Sequence, residues 1–213
     1  MKVTYIRLVI KIGGSLVFDD MGPRIDYLKK LIPVIKKIKS RHNVIITIGG
    51  GRFVKKYAKR LKYFLNKNDI DAVNVELLRA NVMMMAHLMK MKPIFNISEI
   101  RLNGIIGGIA PGRSTDTNAV ICAEKIGAML IKLTNVDGVY DKDPKKYKNA
   151  KKIDFIPFKD IDKIQTGGDY KLLDPLAMKL IKNHKIKTII MSGKNPENIF
   201  KAIEGKNIGT RIG

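Results

Sequence analysis

Three glycine-rich segments of this 213-residue sequence contain residue types that can hold phosphate groups, and the first is Lys11-Ile-Gly-Gly-Ser15. Its glycines allow backbone N–H groups to approach an anion closely, and Ser15 adds a hydroxyl donor. Lys11 is a compact cation suited to contact the oxygens of two neighbouring phosphates. Because glycine turns are common, the segment also fits a strand that ends in an ordinary turn beside an exposed lysine.

The second segment, Gly49-Gly50-Gly51-Arg52, leads directly into a predicted helix. Glycines at a helix N-terminus favour anion binding, because free N–H groups and the helix dipole both attract negative charge. Arg52 or Lys55 could add a positive side chain. The segment is neither a Walker A loop nor a dinucleotide-binding fingerprint, since the spacing of its glycines and basic residues fits neither motif.

The third segment runs from Gly107 to Asp116 and is another glycine-rich turn that opens a predicted helix. Ser114, Thr115 and Asp116 are also good helix N-cap residues, which would explain them without any ligand. Three such loops in one small chain favour the binding of two phosphate-bearing ligands.

A fourth feature follows the predicted strand 129–133, where Asn135 and Asp137-Gly138 form a turn signal. Tyr140 and a polar loop come next. Such a loop could hold an adenine ring and its ribose. As a bare pattern it is equally an ordinary turn.

The elements that must position these loops alternate along the chain. Short β-branched runs followed by longer amphipathic stretches predict parallel βαβ units and a sheet covered on both faces. We expect one α/β domain over residues 1–213, with a soft division near residue 125. The predicted strands are 6–12, 44–48, 93–95, 129–133 and 188–191, and the predicted helices are 26–39, 53–67, 71–91, 115–126, 174–183 and 196–204.

Composition narrows the classes of function. The formal charge is +22, but the lysines lie along nearly the whole chain, which favours solvated helix faces over a nucleic-acid-binding surface. No apolar run is long enough to span a membrane, and no signal peptide is recognised, so we expect a cytoplasmic protein. One cysteine and three scattered histidines predict no metal site built from protein ligands.

Together these segments resemble the amino acid kinase superfamily and, within it, the archaeal-type uridylate (UMP) kinases. The resemblance covers essentially the whole chain, and its most specific part is TNVDGVYDKDP, beside KIGGSL, IGGGRFVKKYA, PGRSTD and LLDPLAMKLI. It implies a three-layer α/β/α sandwich with a mainly parallel central sheet. It further implies transfer of phosphate from ATP to UMP with Mg²⁺, and assembly as a homo-oligomer, a hexamer or a dimer.

The resemblance also implies roles for individual residues. Lys11 and Asp116 would form the catalytic pair. The chain would divide into an acceptor-side half over roughly 1–125 and an ATP-side half over roughly 126–213. The ATP-binding residues would be Gly14, Ser15, Gly51, Lys55, Thr134, Tyr140 and Asp143, and the acceptor-binding residues Gly50, Arg52, Asp71, Ile109, Ala110, Pro111, Gly112, Arg113, Ser114 and Thr115.

This chain departs from the archaeal uridylate kinases on the acceptor side. A threonine and a histidine of their loop are replaced by Ile109 and Ala110, Arg113 is an added anion binder, and a small serine-rich stretch becomes residues 166–170. Two alternatives therefore stay open: a related kinase for another small acceptor, and a nucleotide-dependent molybdate or tungstate storage protein of the same fold.

Overall fold

The computed structural model describes residues 5–144, 146–163 and 172–213. Residues 166–170, one of the departures named above, lie outside the described residues. In the described part of the chain the strands are β1 (Arg7–Ile12), β2 (Asn43–Ile48), β3 (Lys92–Ile94), β4 (Gly104–Ile106), β5 (Met129–Thr134), β6 (Val139–Tyr140), β7 (Lys152–Ile153), β8 (Phe155–Ile156), β9 (Thr188–Ser192) and β10 (Thr210–Ile212).

The helices of the described residues alternate with these strands. They are α1 (Gly14–Val17), α2 (Ile25–Lys39), α3 (Gly51–Leu61), α4 (Lys67–Met89), α5 (Thr115–Ile126), α6 (Pro175–His184) and α7 (Asn198–Ile203), with 3-10 turns at Ile97–Glu99 and Phe158–Lys163.

An eight-stranded sheet in the order β3-β4-β2-β1-β5-β9-β10-β8 forms the centre of the molecule. Strands β3 to β9 of this order run parallel, whereas β10 is antiparallel to β9, and β8 runs parallel to β10. β6 and β7 form a separate antiparallel pair. The expected mainly parallel sheet is confirmed.

Two hydrophobic clusters cover the two faces of the sheet. Leu8, Ile10 and Ile12 of β1 face the cluster formed with α1, α2, α4 and α7, whereas Val9 faces the cluster formed with α5 and α6. This alternation follows from the two-residue period of a strand, which sends successive side chains to opposite faces. The result is the three-layer α/β/α sandwich.

Some element bounds differ from the sequence-based expectation. The predicted helices 53–67 and 71–91 are α3 and α4, and the break between them leaves the rings of Tyr63 and Phe64 exposed. The Asn66 side chain begins α4 by accepting a hydrogen bond from the Asp69 backbone N–H. α1, β4, β6, β7, β8 and β10 were not predicted, because segments of two to four residues are too short to show a hydrophobic period.

The carboxyl ends of four adjacent strands hold the four loops that the sequence singled out. β4, β2, β1 and β5 are neighbours, and their loops begin at Gly107, Gly49, Gly13 and Asn135. Open parallel sheets bind ligands at this edge. The division of a single domain into an acceptor-side half and an ATP-side half stays a prediction. Residues from both sides of position 125 meet at this edge of the sheet.

No helix in the three described ranges combines the length and the apolar character that crossing a bilayer requires.

Candidate active site

Two lysines lie side by side within the sheet. Lys11 of β1 is in register with Lys132 of β5, so both side chains leave the same face of neighbouring parallel strands. That face is covered by α5, as the placement of Val9 and Leu130 in the same hydrophobic cluster shows. Both lysines are buried, with 7% and 5% of their surface exposed. A buried ammonium group requires a counter-charge.

Asp116, in the first turn of α5, supplies a carboxylate to both lysines. Its Oδ1 lies 2.9 Å from the Lys11 Nζ and also accepts a hydrogen bond from the Lys132 Nζ. Burial raises the pKa of this carboxyl, but the two ammonium groups outweigh that effect and lower the pKa to about 2. Asp116 is therefore ionised at neutral pH and holds both lysine side chains in place.

The charges of this cluster do not cancel, because two buried lysines share one carboxylate. Burial, followed by repulsion from Lys11, lowers the pKa of Lys132 to about 7, against the opposing effect of Asp116. An anion placed beside the lysines would relieve this repulsion and favour the ammonium form. The arrangement therefore favours binding of a second negatively charged group.

A cleft of about 310 Å³ opens directly over the lysine pair. Asp116 is the one acidic side chain among the described residues that line it, and Arg52 and Lys55 add two more cations. Helix α3 begins at this cleft with Gly50 as its N-cap and no side-chain cap, so its first backbone N–H groups can bind an anion. The full described lining is Lys11, Gly13, Gly14, Ser15, Gly49, Gly50, Gly51, Arg52, Lys55, Thr115, Asp116, Lys132, Leu133, Thr134 and Leu172.

Glycines are required here because two loops touch through their backbones. A Cβ on Gly14 would lie 2.1 Å from the Gly51 backbone nitrogen and 2.7 Å from the Gly49 carbonyl carbon. Gly51 itself has a φ of +71°, in the left-handed region that glycine tolerates. This close approach brings the β1 and β2 loops to the same cleft.

Gly14→Ala should therefore destabilise the protein, because the loops must separate to admit the methyl group. We expect the free energy of unfolding to fall by at least about 2 kcal/mol, which corresponds to a fall in Tm of roughly 4–8 °C for a chain of this length. Thermal and urea unfolding measure the change. Gly22→Ala is the comparison variant, because a Cβ there meets nothing within 4 Å and only its φ of +126° strains the substitution; an unchanged stability of Gly14→Ala would contradict the close-contact explanation.

A second pocket of about 420 Å³ adjoins the cleft and shares Gly50 and Thr115 with it. Its walls are the first turns of α4 and the loop before α5. The described lining is Gly50, Val54, Lys67, Asp71, Asn74, Val75, Leu78, Gly108, Ala110, Pro111, Gly112, Arg113, Ser114 and Thr115. Two adjacent pockets with a shared wall can hold two ligands that meet end to end.

The loop before α5 is fixed by a carboxylate from another helix. The Ser114 hydroxyl caps α5 by accepting from the Thr117 N–H, and it donates to the Asp174 carboxylate. Asp174 also accepts from the Thr117 hydroxyl and caps α6 through the Ala177 N–H. One carboxylate thus ties the N-termini of α5 and α6 together beside the second pocket.

Most of the residues that the sequence singled out come together in these two pockets, with three exceptions, and a fourth residue lies in the other pocket from the one expected. Arg52, expected on the acceptor side, lines the cleft over the lysines, 3.6 Å from Asp20. Ile109 packs against the hydrophobic cluster under α5 instead of lining the second pocket, because an apolar side chain is stabilised by burial. Tyr140 and Asp143 are not among the described residues that line either pocket; the Tyr140 hydroxyl donates to Asp137.

Comparison with known proteins identifies the architecture. The model of the amino acid kinase family matches residues 7–98 and 100–192. The chain belongs to the amino acid kinase family.

Individual relatives match over nearly their full length. The chain is 36% identical to the uridylate kinase of Thermococcus onnurineus, with 97% of this chain and 99% of that one aligned. It is also 36% identical to the uridylate kinase of Methanococcus aeolicus with the same coverage. The crystal structure of uridylate kinase from Archaeoglobus fulgidus superposes with a TM-score of 0.88 at 29% identity, over 98% of this chain and all of that one. The resemblance inferred from the sequence is confirmed.

Sequence reasoning missed Lys132, which lies beside Lys11 and Asp116 in this member of the amino acid kinase family. The available signal was a lysine inside an otherwise apolar strand, where a charge is unexpected without a partner. A second missed contact joins two loops: the Asn135 amide donates to the Ser15 hydroxyl at 2.8 Å. That bond holds the β1 and β5 loops together at the edge of the cleft.

Proposed function

We propose that the protein is an ATP-dependent uridylate kinase, which converts UMP and ATP to UDP and ADP. The observation that carries this proposal is the buried Lys11–Asp116–Lys132 cluster, whose excess positive charge lines a cleft that adjoins a second pocket. The relatives that match over nearly the full chain, and the superposed archaeal structure, are uridylate kinases.

The proposed reaction needs positioning and charge more than a protein nucleophile. An oxygen of the UMP phosphate bonds to the γ-phosphorus of ATP, and the bond from that phosphorus to the β–γ bridging oxygen breaks. A phosphate monoester has a second pKa of about 6, so the acceptor oxygen is already deprotonated at neutral pH. No general base is required.

The side chains of the cluster would have different roles in this reaction. Lys11 and Lys132 neutralise the negative charge on the oxygens of the transferring group, and Asp116 keeps both ammonium groups oriented. The backbone N–H groups at the start of α3 hold phosphate oxygens. Gly50 and Thr115, shared by both pockets, mark the place where donor and acceptor phosphates meet.

We propose that Mg²⁺ would be supplied with ATP, and that this chain would add few or no side-chain ligands of its own. In the described residues, no group of three or more His, Cys, Asp and Glu side chains is arranged to hold a metal ion, and Asp116 is already paired with two lysines. This fits Mg²⁺, which commonly binds proteins through substrate phosphates. When bound, the ion would neutralise charge on the β- and γ-phosphates.

The pKa of Lys132 predicts how the reaction depends on pH. Burial lowers this pKa to about 7, so the free enzyme loses the Lys132 charge as the pH rises through that value. We expect kcat/KM for ATP to fall above about pH 7, while kcat holds to higher pH because bound phosphate stabilises the ammonium form. Lys132→Arg keeps the charge at all these pH values and should remove the fall. A wild-type kcat/KM that stays constant to pH 9 would contradict this assignment.

An acceptor panel tests the proposal. ADP release is measured by a coupled assay with ATP and Mg²⁺ in the presence of UMP, CMP, AMP, small carboxylates or amines. We expect turnover with UMP at the highest kcat/KM. If UMP gives none while another acceptor does, the uridylate assignment is wrong and the kinase class stands. Retention of ATP with molybdate or tungstate, without any turnover, would favour a storage protein.

We further propose a cytoplasmic homo-oligomer, a dimer or a hexamer. Exposed aromatic side chains on α3 and the turn after it support a subunit contact there: Phe53, Tyr57, Tyr63 and Phe64. Sedimentation measurements of mass test this prediction. We expect no binding to nucleic acid, since the lysines lie along nearly the whole chain.

A further inference from the structure

The first turns of helix α4 form one wall of the second pocket, and these turns lie further from the sheet than the later turns of the helix. A Cβ on Gly108 would lie 2.6 Å from the Leu78 Cδ1, so Leu78 packs onto the loop just beyond β4. Later residues of α4, such as Val82 and Met85, pack over the sheet. The earlier turns therefore extend past the edge of the sheet, with Asn74 one turn beyond Leu78 and Asp71 about one turn further.

Asn74 carries an unpaired polar atom in this wall. Its Oδ1 is buried and has no hydrogen-bond partner among the described residues. A buried acceptor without a donor destabilises the protein, and in native structures such an atom calls for a specific explanation. Asn74 lines the second pocket, so rotation of its carboxamide toward the pocket would let a donor group on the ligand satisfy this atom.

The loop opposite offers fewer free polar side chains for the same purpose. Ile109 packs into the hydrophobic cluster, and Ala110 and Pro111 present apolar surface. Ser114 is already bonded to Asp174 and to the start of α5. Arg113 of this loop is a cation suited to the acceptor's phosphate, so recognition of the polar edge of the base falls on the helix side of the pocket.

The neighbours of Asn74 indicate which part of the acceptor it meets. Val75 and Leu78 on α4 and Pro111 on the loop provide apolar surfaces that suit a flat ring. Asp71, further from the sheet, is an acceptor suited to sugar hydroxyls. A carboxamide presents a donor and an acceptor in one plane, which matches the edge of a pyrimidine.

We propose that Asn74 determines specificity for the pyrimidine base of the acceptor, with its Oδ1 accepting the N3–H of uracil and its amide N–H donating to a uracil carbonyl. This inference rests on the proposed function. It assigns base recognition to a helix residue, at a pocket whose loop carries Ile109 and Ala110 in place of polar side chains.

The test compares Asn74→Leu, which keeps the side chain's size and removes its polar atoms, with the wild type. At saturating ATP and Mg²⁺ we expect the KM for UMP to rise about tenfold or more, the worth of about one hydrogen bond. The KM for ATP should stay within about twofold, because Asn74 does not line the ATP cleft. Asn68→Leu is the matched control, an exposed residue of the same helix outside the pocket.

Modified acceptors identify the contact. UMP methylated on N3 should bind the wild type at least about tenfold more weakly than UMP, and this difference should largely disappear in Asn74→Leu, as in a double-mutant cycle. If instead 2′-deoxy-UMP shows that coupling, Asn74 contacts the ribose and the assignment to the base is wrong.

The remaining outcomes separate this inference from the function on which it rests. No UDP formation by the wild type contradicts the proposed function. UDP formation with the same UMP KM in the wild type and Asn74→Leu contradicts the inference alone. Thermal unfolding of the free proteins is the second readout: Asn74→Leu should melt no lower than the wild type, since it removes an unpaired buried acceptor, and a lower Tm would assign Asn74 a structural role.

Discussion

Lys11→Met is expected to lower kcat by about 10²–10³-fold, the usual effect of removing one preorganised donor that stabilises charge in a transition state. Lys11 is buried in β1, and its ammonium group opens onto the cleft where the transferring phosphate would lie. Met keeps the length and apolar stem of lysine, so packing in the sheet is retained. The KM for UMP should change little, because Lys11 does not line the second pocket. Steady-state ADP release measures both constants.

The control for this variant is Lys36→Met, which removes an exposed lysine from α2. It should leave kcat and both KM values within about twofold, as expected for a surface substitution. Thermal unfolding of both variants separates lost catalysis from lost folding. An unchanged kcat in a folded Lys11→Met protein would remove Lys11 from the mechanism.

Asp116→Asn is expected to affect stability and activity together. The substitution leaves two buried ammonium groups without their carboxylate, and removing one partner of a buried ion pair costs about 3–5 kcal/mol. The loss should be greatest near pH 6, below the lowered pKa of Lys132, where that side chain is charged. It should shrink near pH 9, because Lys132, whose pKa is already lowered to about 7, can then be neutral. Urea unfolding at the two pH values measures the difference.

The matched control is Asp162→Asn, which breaks the exposed Asp162–Lys182 ion pair. Surface ion pairs contribute about 0–1 kcal/mol, so this variant should lose little stability at either pH. A loss for Asp116→Asn that is equal at pH 6 and pH 9 would contradict the shared-carboxylate description. The kcat of Asp116→Asn, measured at pH 7, should fall because neither lysine is held in place.

The loops of the site could be predicted from the sequence because each has a local signal. A run of glycines after a β-branched segment marks the end of a strand, and parallel strands place all such ends at one edge of the sheet. Lys11 and Gly50 were found in this way, whereas the catalytic role of Asp116 was implied by the family resemblance; the structure brings all three to one cleft. Residue type and position relative to the strand end were sufficient for the first two.

Lys132 illustrates what local signals leave out. Its role depends on the register of β5 against β1, which places it beside Lys11 across more than a hundred residues of chain. Register between strands is a tertiary property, set when the sheet forms, and one strand's sequence does not contain it. The role proposed for Asn74 has no local signal for a similar reason. On a helix, its significance appears only once α4 is seen to extend over the second pocket.

The most direct test of the central claim follows the γ-phosphate itself. The protein is incubated with UMP, Mg²⁺ and ATP labelled with ³²P in the γ-position, and the nucleotides are separated with time. We predict that the label moves into the β-phosphate of UDP in step with ADP formation, and that Lys11→Met slows this transfer by about 10²–10³-fold. Label that stays in ATP, or appears only as inorganic phosphate while UMP is unchanged, would contradict the claim.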